Sequence, residues 1–210
     1  MPYDGEMLMS APEHDIKMKI LLAAKKLFAK QGFDGTSVRQ ICDEAGANVA
    51  LISYHFGGKD NVFGALFKTF FPGNRLAEYA AYFHDPIIGI KKLVEEVTRF
   101  RLRDPEMIMI VQQEIFKQSP RVKTIQDHIF PVWLKVRELL EDGRKAGIFQ
   151  FRSLDNTMFF IMGALLFHKN TDYFLPILSD GVPSFDDMYR DAAVFILRGL
   201  GVPEKAEDYL

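Results

Sequence analysis

A short segment between Asn48 and Lys59 carries side chains that suit contact with nucleic acid. If Val49–Phe56 is a helix, its turn of about 100° per residue points two groups of side chains apart. The outward group is Ala50, Leu51, Tyr54 and His55, and the core-facing group is Val49, Ile52 and Phe56. Hydroxyl, imidazole and ammonium groups donate to phosphates, and small side chains let a helix approach base edges. The segment suggests a DNA-reading element, and a surface helix with incidental aromatic residues is the alternative left open.

Residue types that usually carry catalysis or metal binding are scattered singly through the chain. The five histidines show no spacing typical of a metal site, and no nucleophile-elbow, P-loop or dinucleotide motif occurs. The single cysteine, Cys42, allows neither an internal disulfide nor a thiolate metal site, and we expect it to be a small buried residue rather than a redox sensor. The sequence therefore favours a binding protein over an enzyme and suggests no cofactor and no metal.

Composition and charge limit the remaining classes of protein. Of the 210 residues, 48% are hydrophobic and 26% are charged, which excludes a disordered chain. The longest apolar run, Met158–Phe167, has ten residues, whereas a membrane-spanning helix needs about 20. The first residues carry acids where a signal peptide carries Lys or Arg, so we expect a cytoplasmic protein. The net charge is −2, yet residues 14–60 contain seven Lys or Arg against five acids, a mild surplus in the direction expected for a small DNA-binding module.

Glycine and proline divide the chain into segments of helical length, and almost none alternates as a strand would, so the sequence predicts an all-α fold. Thr36 or Ser37 would cap the second helix and Asn48 the third. The predicted helices are Glu13–Gln31, a short one containing Val38, Ile41 and Ala45, Val49–Phe56, Asp60–Phe83, Pro86–Arg103, Pro105–Lys117, Arg121–Ala146, Leu154–Lys169 and Ser184–Leu200. Pro131 is expected to kink or split its helix. This order predicts a tail over 1–12, a helix-turn-helix domain over 13–59 and a larger helical domain over 60–210.

The predicted helix-turn-helix domain resembles the N-terminal domain of TetR-family transcriptional regulators in three segments: Phe28–Ile41, Glu44–Val49 and Tyr54–Asp60. The resemblance covers about 50 contiguous residues, with several motif elements in order and at the right spacing. It departs from the family pattern at Ser53, where many members carry an aromatic residue, and at Cys42, where a small residue such as alanine is usual.

The resemblance implies a bacterial all-helical repressor that acts as a homodimer and is released from its operator by a small-molecule effector. The third helix would enter the major groove of an inverted-repeat operator, so the protein would be associated with the nucleoid when it is bound to DNA. Carried over position by position, it assigns the DNA contacts to Thr36, Ser37, Arg39, Asn48, Val49, Ala50, Ser53, Tyr54, His55 and Lys59. Lys59 lies beyond the glycines after the third helix and is expected to contact phosphate only. A protein of the same architecture that acts in chromosome organisation or cell division is the alternative, and a pure protein-interaction module is a third.

The larger domain resembles the family only in its layout. The run Met158–Phe167 is apolar nearly all round, which predicts burial on more than one side. With the family in view, the expected dimer interface contains Phe160, Gly163, Ala164, Phe167, Met188, Ala192 and Phe195. A pocket for a small apolar or aromatic effector would be lined by residues of the middle helices, most of which could equally be plain core: Phe67, Phe70, Phe71, Phe100, Met107, Ile110, Val111, Phe116 and Trp133.

Overall fold

The computed structural model describes residues 11–167, 171–179 and 183–203, and these residues contain helices and no strand. The α-helices are α1 Ala11–Gln31, α2 Val38–Ala45, α3 Val49–Phe56, α4 Lys59–Phe70, α5 Pro86–Arg103, α6 Pro105–Lys117, α7 Val122–Lys145, α8 Leu154–Leu166, α9 Thr171–Phe174 and α10 Phe185–Gly199. Tighter 3₁₀ turns run over Pro72–Tyr82 and Leu175–Ile177. The all-α prediction is therefore confirmed over the described residues.

The chain divides into two compact units. The first unit contains the described residues up to Phe71 together with Glu106–Ile125, and the second contains Pro72–Pro105 together with the described residues from Gln126 onward. This division differs from the predicted boundary after residue 59, because α4 packs against α1 and α3. Helix α6 also contributes to the first unit, although it lies far along the sequence from α1–α4.

An aromatic cluster forms the centre of the first unit. The rings of Phe28, Phe33 and Phe63 lie with their centroids 5.2 to 6.0 Å apart, and Phe67 continues the cluster from α4. All four side chains are buried. Close aromatic pairs of this kind add to the stabilisation that comes from burying their area. The cluster holds α1 and α4 together around the turn that leads into α2.

Local capping chemistry sets the ends of α2 and α3. Ser37 is the N-cap of α2 and forms a capping box with Gln40, so that both otherwise unpaired N–H groups are satisfied. The Asn48 side chain caps α3 by accepting from the Ala50 N–H at 2.9 Å. Gly57 ends α3 at φ 75°, a left-handed conformation that a residue with a Cβ adopts at a cost. These caps fix α3 as a helix of two turns in the place that the sequence predicts.

The second unit has a separate apolar core around α5. Buried residues of α5, α7, α8 and α10 form one cluster: Ile90, Leu93, Val94, Val136, Leu139, Leu140, Met158, Ile161, Leu165, Ala192, Ala193, Ile196 and Leu197. Helix α5 packs against both α8 and α10. Gly143 of α7 lies where a Cβ would stand 2.1 Å from the Phe149 ring, so the close approach of these segments requires glycine.

Two predicted helices differ from the structure. The predicted helix Asp60–Phe83 is wrong, since α4 ends at Phe70 and Phe71 adopts an extended conformation at φ −85° and ψ 129°. Proline disfavours helical backbone in the residue before it, and Pro72 follows. The other difference concerns Pro131, which lies inside an unbroken α7 and does not split it. The predicted end of the helix at Lys169 lies outside the described residues, and α8 extends to Leu166 within them.

Candidate DNA-binding site

Helix α3 presents one buried and one exposed side, as a reading helix requires. Ile52 is fully buried and anchors α3 in the first unit, whereas Ala50 and Ser53 are exposed. Tyr54 is 77% exposed, and its ring centroid lies 4.8 Å from that of the half-buried His55. This face combines a hydroxyl and an imidazole with small neighbours, which is the combination suited to base edges and phosphates.

Val49 lies differently from its predicted core position. It is 46% exposed, so the helical-wheel prediction that it faces the core is wrong. Val49 is the first residue of α3, and Ile52, one turn further along, is the buried residue of this helix. The exposure of Val49 is compatible with the separate expectation that it contacts DNA, which remains a prediction.

Three further predicted contacts lie at the starts of α2 and α3. Ser37 and Arg39 are exposed in the first turn of α2, and Asn48 is exposed at the start of α3. The Ser37 hydroxyl and the Asn48 carbonyl oxygen accept from backbone N–H groups of their own helices, at 3.2 and 2.9 Å. The free N–H groups and the positive dipole end of a helix favour phosphate nearby. Arg39 adds a full positive charge to the start of α2.

Thr36 has a different role from the predicted one. Its side chain is buried, and its hydroxyl donates to the Gly32 carbonyl oxygen at 2.8 Å. A hydroxyl that is enclosed and already donating cannot reach a phosphate in this conformation. Thr36 therefore stabilises the turn between α1 and α2, and the prediction of a phosphate contact from its side chain is corrected.

Lys59 has a structural role that the sequence does not reveal. Its Nζ donates to the carbonyl oxygens of Phe33 at 2.9 Å and Thr36 at 2.7 Å. The same ammonium lies 4.1 Å from the centroid of the Phe33 ring, within the range of a cation–π interaction. Lys59 thus ties the start of α4 to the turn before α2. An ammonium has three N–H donors, so one is left for a phosphate.

A second connection to the same turn comes from α6 and the segment after it. Glu114 is 1% exposed and accepts from Arg121 Nε at 2.7 Å and from the Ser119 hydroxyl. Arg121 also donates from Nη2 to Asp34 at 3.2 Å, and its Cζ lies 3.8 Å from the Phe33 ring centroid. Two cations from separate segments, Lys59 and Arg121, therefore contact one aromatic ring. The sequence offers no strong signal for this cluster.

Four exposed phenylalanines belong to α8, its C-terminal end and α10, and these two helices of the second unit are in contact. Phe159, Phe160 and Phe167 of the α8 region and Phe195 of α10 are each at least 60% exposed. Gly163 is exposed between them and Ala164 is half-buried, so these predicted interface residues lie where another surface could reach them. Apolar area of this kind on a protein usually marks an interaction site.

Two other predicted interface residues lie inside the second unit. Met188 and Ala192 are buried, with Met188 Sδ 3.2 Å from Arg101 Nη2 and Ala192 in the core around α5. Little of either side chain is exposed to a partner, and their assignment to a dimer interface remains a prediction. Helix α10 carries apolar residues round more than half of its circumference, and its packing against α5 decides which of them are enclosed.

The predicted pocket residues do not share one environment. Phe67, Phe100, Met107, Ile110 and Val111 are buried, whereas Phe70, Phe71 and Trp133 are half-buried. Phe100 and Trp133 belong to the second unit and the other residues to the first. Phe116 is 91% exposed, so its assignment to the lining of an enclosed pocket is corrected. For the other positions the pocket remains a prediction.

Residues 11–167, 171–179 and 183–203 contain neither a candidate metal site nor a helix that could span a membrane. No group of three or more His, Cys, Asp or Glu side chains in these ranges could hold a metal ion. None of the helices there is long and apolar enough to cross a membrane.

Comparison with known proteins gives a consistent result. A family model described as bacterial regulatory proteins of the tetR family matches residues 20–66, which contain α2, α3 and most of α4. The transcriptional repressor NicS of Pseudomonas putida is 26% identical over 161 residues, covering 73% of this chain and 74% of NicS. The repressor AcnR of Corynebacterium glutamicum is 36% identical over 104 residues, about half the length of each protein. These relatives are transcriptional regulators rather than enzymes.

The similarity extends to the whole fold. The crystal structure of HlyIIR, a hemolysin II transcriptional regulator, superposes with a TM-score of 0.74 at 28% identity. The superposition covers 90% of this chain and 98% of HlyIIR. Both the helix-turn-helix segment and the larger helical part of this chain therefore have counterparts in a solved regulator.

Proposed function

We propose that the chain is a TetR-family repressor that binds an inverted-repeat operator as a homodimer and is released by a small-molecule effector. The match of residues 20–66 to the tetR family model and the 26% identity to NicS support this proposal. The exposed face of α3, with Tyr54 outward and Ile52 buried beneath it, is the observation that carries the proposal. NicS and AcnR are both repressors, which supports repression over activation.

On this proposal the side chains of the first unit divide the work of binding. Tyr54 and His55 read the operator from α3, with Ala50 and Ser53 allowing close approach. Arg39 and the third donor of Lys59 contact phosphates, so they add affinity without discriminating between sequences. Each neutralised phosphate contributes about one unit to the dependence of log K on log salt. Two copies of the first unit, related by the two-fold axis of a dimer, would select an inverted repeat.

The dimer would form through the exposed phenylalanines of α8 and α10. Phe160→Glu places a charge on this surface and should convert the dimer to a monomer, because an unpaired charge is costly to bury. Phe116→Glu is the matched control, since Phe116 is even more exposed but lies in the first unit. Multi-angle light scattering at micromolar concentration measures the outcome. A wild-type monomer, or equal effects of the two substitutions, would contradict the proposed interface.

Selection of bound duplexes from random DNA tests operator recognition directly, and Tyr54 supplies the decisive variant. Tyr54→Ala should weaken specific binding about 5- to 150-fold, the range for a good side-chain contact to a base, while Tyr54→Phe isolates the hydroxyl. Tyr173→Ala is the control, because Tyr173 is 81% exposed but lies in the second unit. An unchanged affinity of Tyr54→Ala with native helical circular dichroism would refute the assignment of α3. Selected sites that avoid promoters would instead favour a chromosomal role.

A further inference from the structure

Helix α5 of the second unit carries a buried arginine, Arg101, that has no acidic partner among the described residues. Arg101 is 6% exposed, and its Nη2 lies 3.2 Å from the thioether sulfur of Met188 on α10. Its Nε is buried and makes no hydrogen bond. A thioether is a weak acceptor, so this contact satisfies little of a cationic group with five N–H donors. Arg101 is thus a charge held in the interior with most of its hydrogen-bonding capacity unused.

The other cations in the same helix are paired in the ordinary way. Lys92 lies 3.0 Å from Glu95 and 2.8 Å from Glu96, and Arg99 is hydrogen-bonded to Glu95. The carboxylates of Glu95 and Glu96 are therefore already paired with cations other than Arg101. Burial lowers the pKa of Arg101, and no carboxylate of the described residues raises it again.

An arrangement of this kind is unfavourable unless something completes it. Buried charges in proteins are normally paired, and a guanidinium keeps its proton even when it is buried. The planar fork of a guanidinium matches a carboxylate or a phosphate, each of which can accept two parallel hydrogen bonds. Nothing in the DNA-binding surface of the first unit uses Arg101. No described residue of the chain supplies this partner, so an anion from outside the chain could complete the site.

We propose that Arg101 binds the anionic group of the effector, and that this effector is a small organic acid with an apolar body. The carboxylate would occupy the unused donors of Arg101, and the apolar body would lie against side chains of α5 and α10, of which Met188 is one. The inference rests on the proposed function, in which an effector releases the repressor. It also adds an anionic group to the expectation from the sequence, which is a small apolar or aromatic effector.

Thermal unfolding with defined probes tests the proposal. The probes are benzoate and octanoate, their neutral amides benzamide and octanamide, and inorganic phosphate. The variants are Arg101→Met, which keeps an apolar side chain of similar length, and Arg101→Lys, which keeps the charge. Arg99→Met is the matched control, because Arg99 lies on the same helix but is exposed and paired with Glu95.

The expected pattern has two parts. Without a probe, Arg101→Met should melt at a higher temperature than the wild type, because the substitution removes a buried unpaired charge. With a probe at 100 times its Kd, at least one carboxylate should raise the melting temperature of the wild type and of Arg99→Met by about 5 to 10 °C. The amides and phosphate should have less effect, and Arg101→Met should lose the shift.

Three results would overturn the inference. The first is a lower melting temperature for Arg101→Met than for the wild type, since that shows a partner for the charge within the protein or its dimer. The second is a shift of equal size in the wild type and Arg101→Met. The third is no shift with either carboxylate. Binding of the wild type and the same variants to the selected DNA is measured in parallel without a probe. If the wild type does not bind that DNA, the proposed function is refuted, whatever the outcome for Arg101.

Discussion

Replacement of Arg121 by methionine would leave the carboxylate of Glu114 in the protein interior without its cation. Glu114 is 1% exposed, and Arg121 Nε at 2.7 Å is its charged partner. Removing one member of a buried ion pair costs about 3 to 5 kcal/mol. The Ser119 hydroxyl still donates to Glu114 in the variant, so we expect the lower end of that range. A loss of about 3 kcal/mol corresponds to a fall in melting temperature of about 6 to 12 °C for a chain of this size.

Two companion substitutions separate this explanation from a general loss of packing. Asp34→Asn also removes a contact of Arg121, but the Asp34 side chain is 65% exposed, so the cost should be below about 1 kcal/mol. Glu114→Gln leaves a neutral amide that can still accept from Ser119, and its cost should be about 1 to 2 kcal/mol. The double variant Glu114→Gln with Arg121→Met should then lose less stability than the sum of the two single variants.

Urea unfolding followed by circular dichroism at 222 nm measures all four proteins under the same conditions. The order of loss should be Arg121→Met, then Glu114→Gln, then Asp34→Asn. Equal losses for Arg121→Met and Asp34→Asn would refute the reasoning, because the buried carboxylate would then not determine the cost. Strict additivity in the double variant would also contradict the ion pair as its origin.

Three other predictions follow from separate features. Lys59→Ala should weaken binding to cognate and to random DNA alike. It should also lower the free energy of unfolding by about 1 to 2 kcal/mol, because two carbonyl oxygens lose a charged donor. An unchanged urea midpoint would contradict this structural role. Burial alone raises the pKa of Glu96, but hydrogen bonds from Lys92 and Tyr79 outweigh it and hold that pKa below its ordinary value. The contribution of Glu96 to the free energy of unfolding is therefore present above about pH 4.3 and is lost as the pH falls through the lowered pKa. In Glu96→Gln the urea midpoint should therefore decrease less on acidification than it does in the wild type. Burial raises the pKa of the Cys42 thiol, so Cys42 should react slowly with a thiol reagent in the native protein and quickly in the protein unfolded by urea. The change in absorbance of the reagent measures both rates, and equal rates would show that the thiol is accessible in the native protein.

Local chemistry made α2 and α3 predictable from the sequence. Ser37, Asn48 and Gly57 act on residues within four positions of themselves, so their roles as caps can be recognised without the fold. The end of α4 at Phe70 could also be predicted from Pro72, but the regular apolar spacing of α4 continues beyond Phe70 and favours a longer helix. Where a proline and the apolar spacing predict different helix ends, the proline determines where the helix ends.

Long-range contacts were not predictable in the same way. The carbonyl oxygens that Lys59 binds lie 26 and 23 residues away along the chain, and Asp34 lies 87 residues from Arg121. Nothing in the spacing of single charges indicates such partners. The position of Arg101 is of the same kind, because its burial depends on the packing of α10 against α5. The DNA-binding residues can thus be predicted from the sequence and remain predictions, whereas the groups that hold them in place cannot be predicted from it.

The contribution of residues 106–125 to the first unit sets an order of events during protein synthesis. At about 5 to 20 residues per second, a ribosome needs about 3 to 11 s to extend the chain from residue 71 to residue 125. During that interval every residue proposed to touch DNA has been made, whereas Arg121 and the Gln113 amide that donates to Ala29 have not. A nascent chain therefore has α3 before the contacts that complete its unit. A product that terminates early within α5 would carry the DNA contacts without this support, and it would be a poor competitor for the operator.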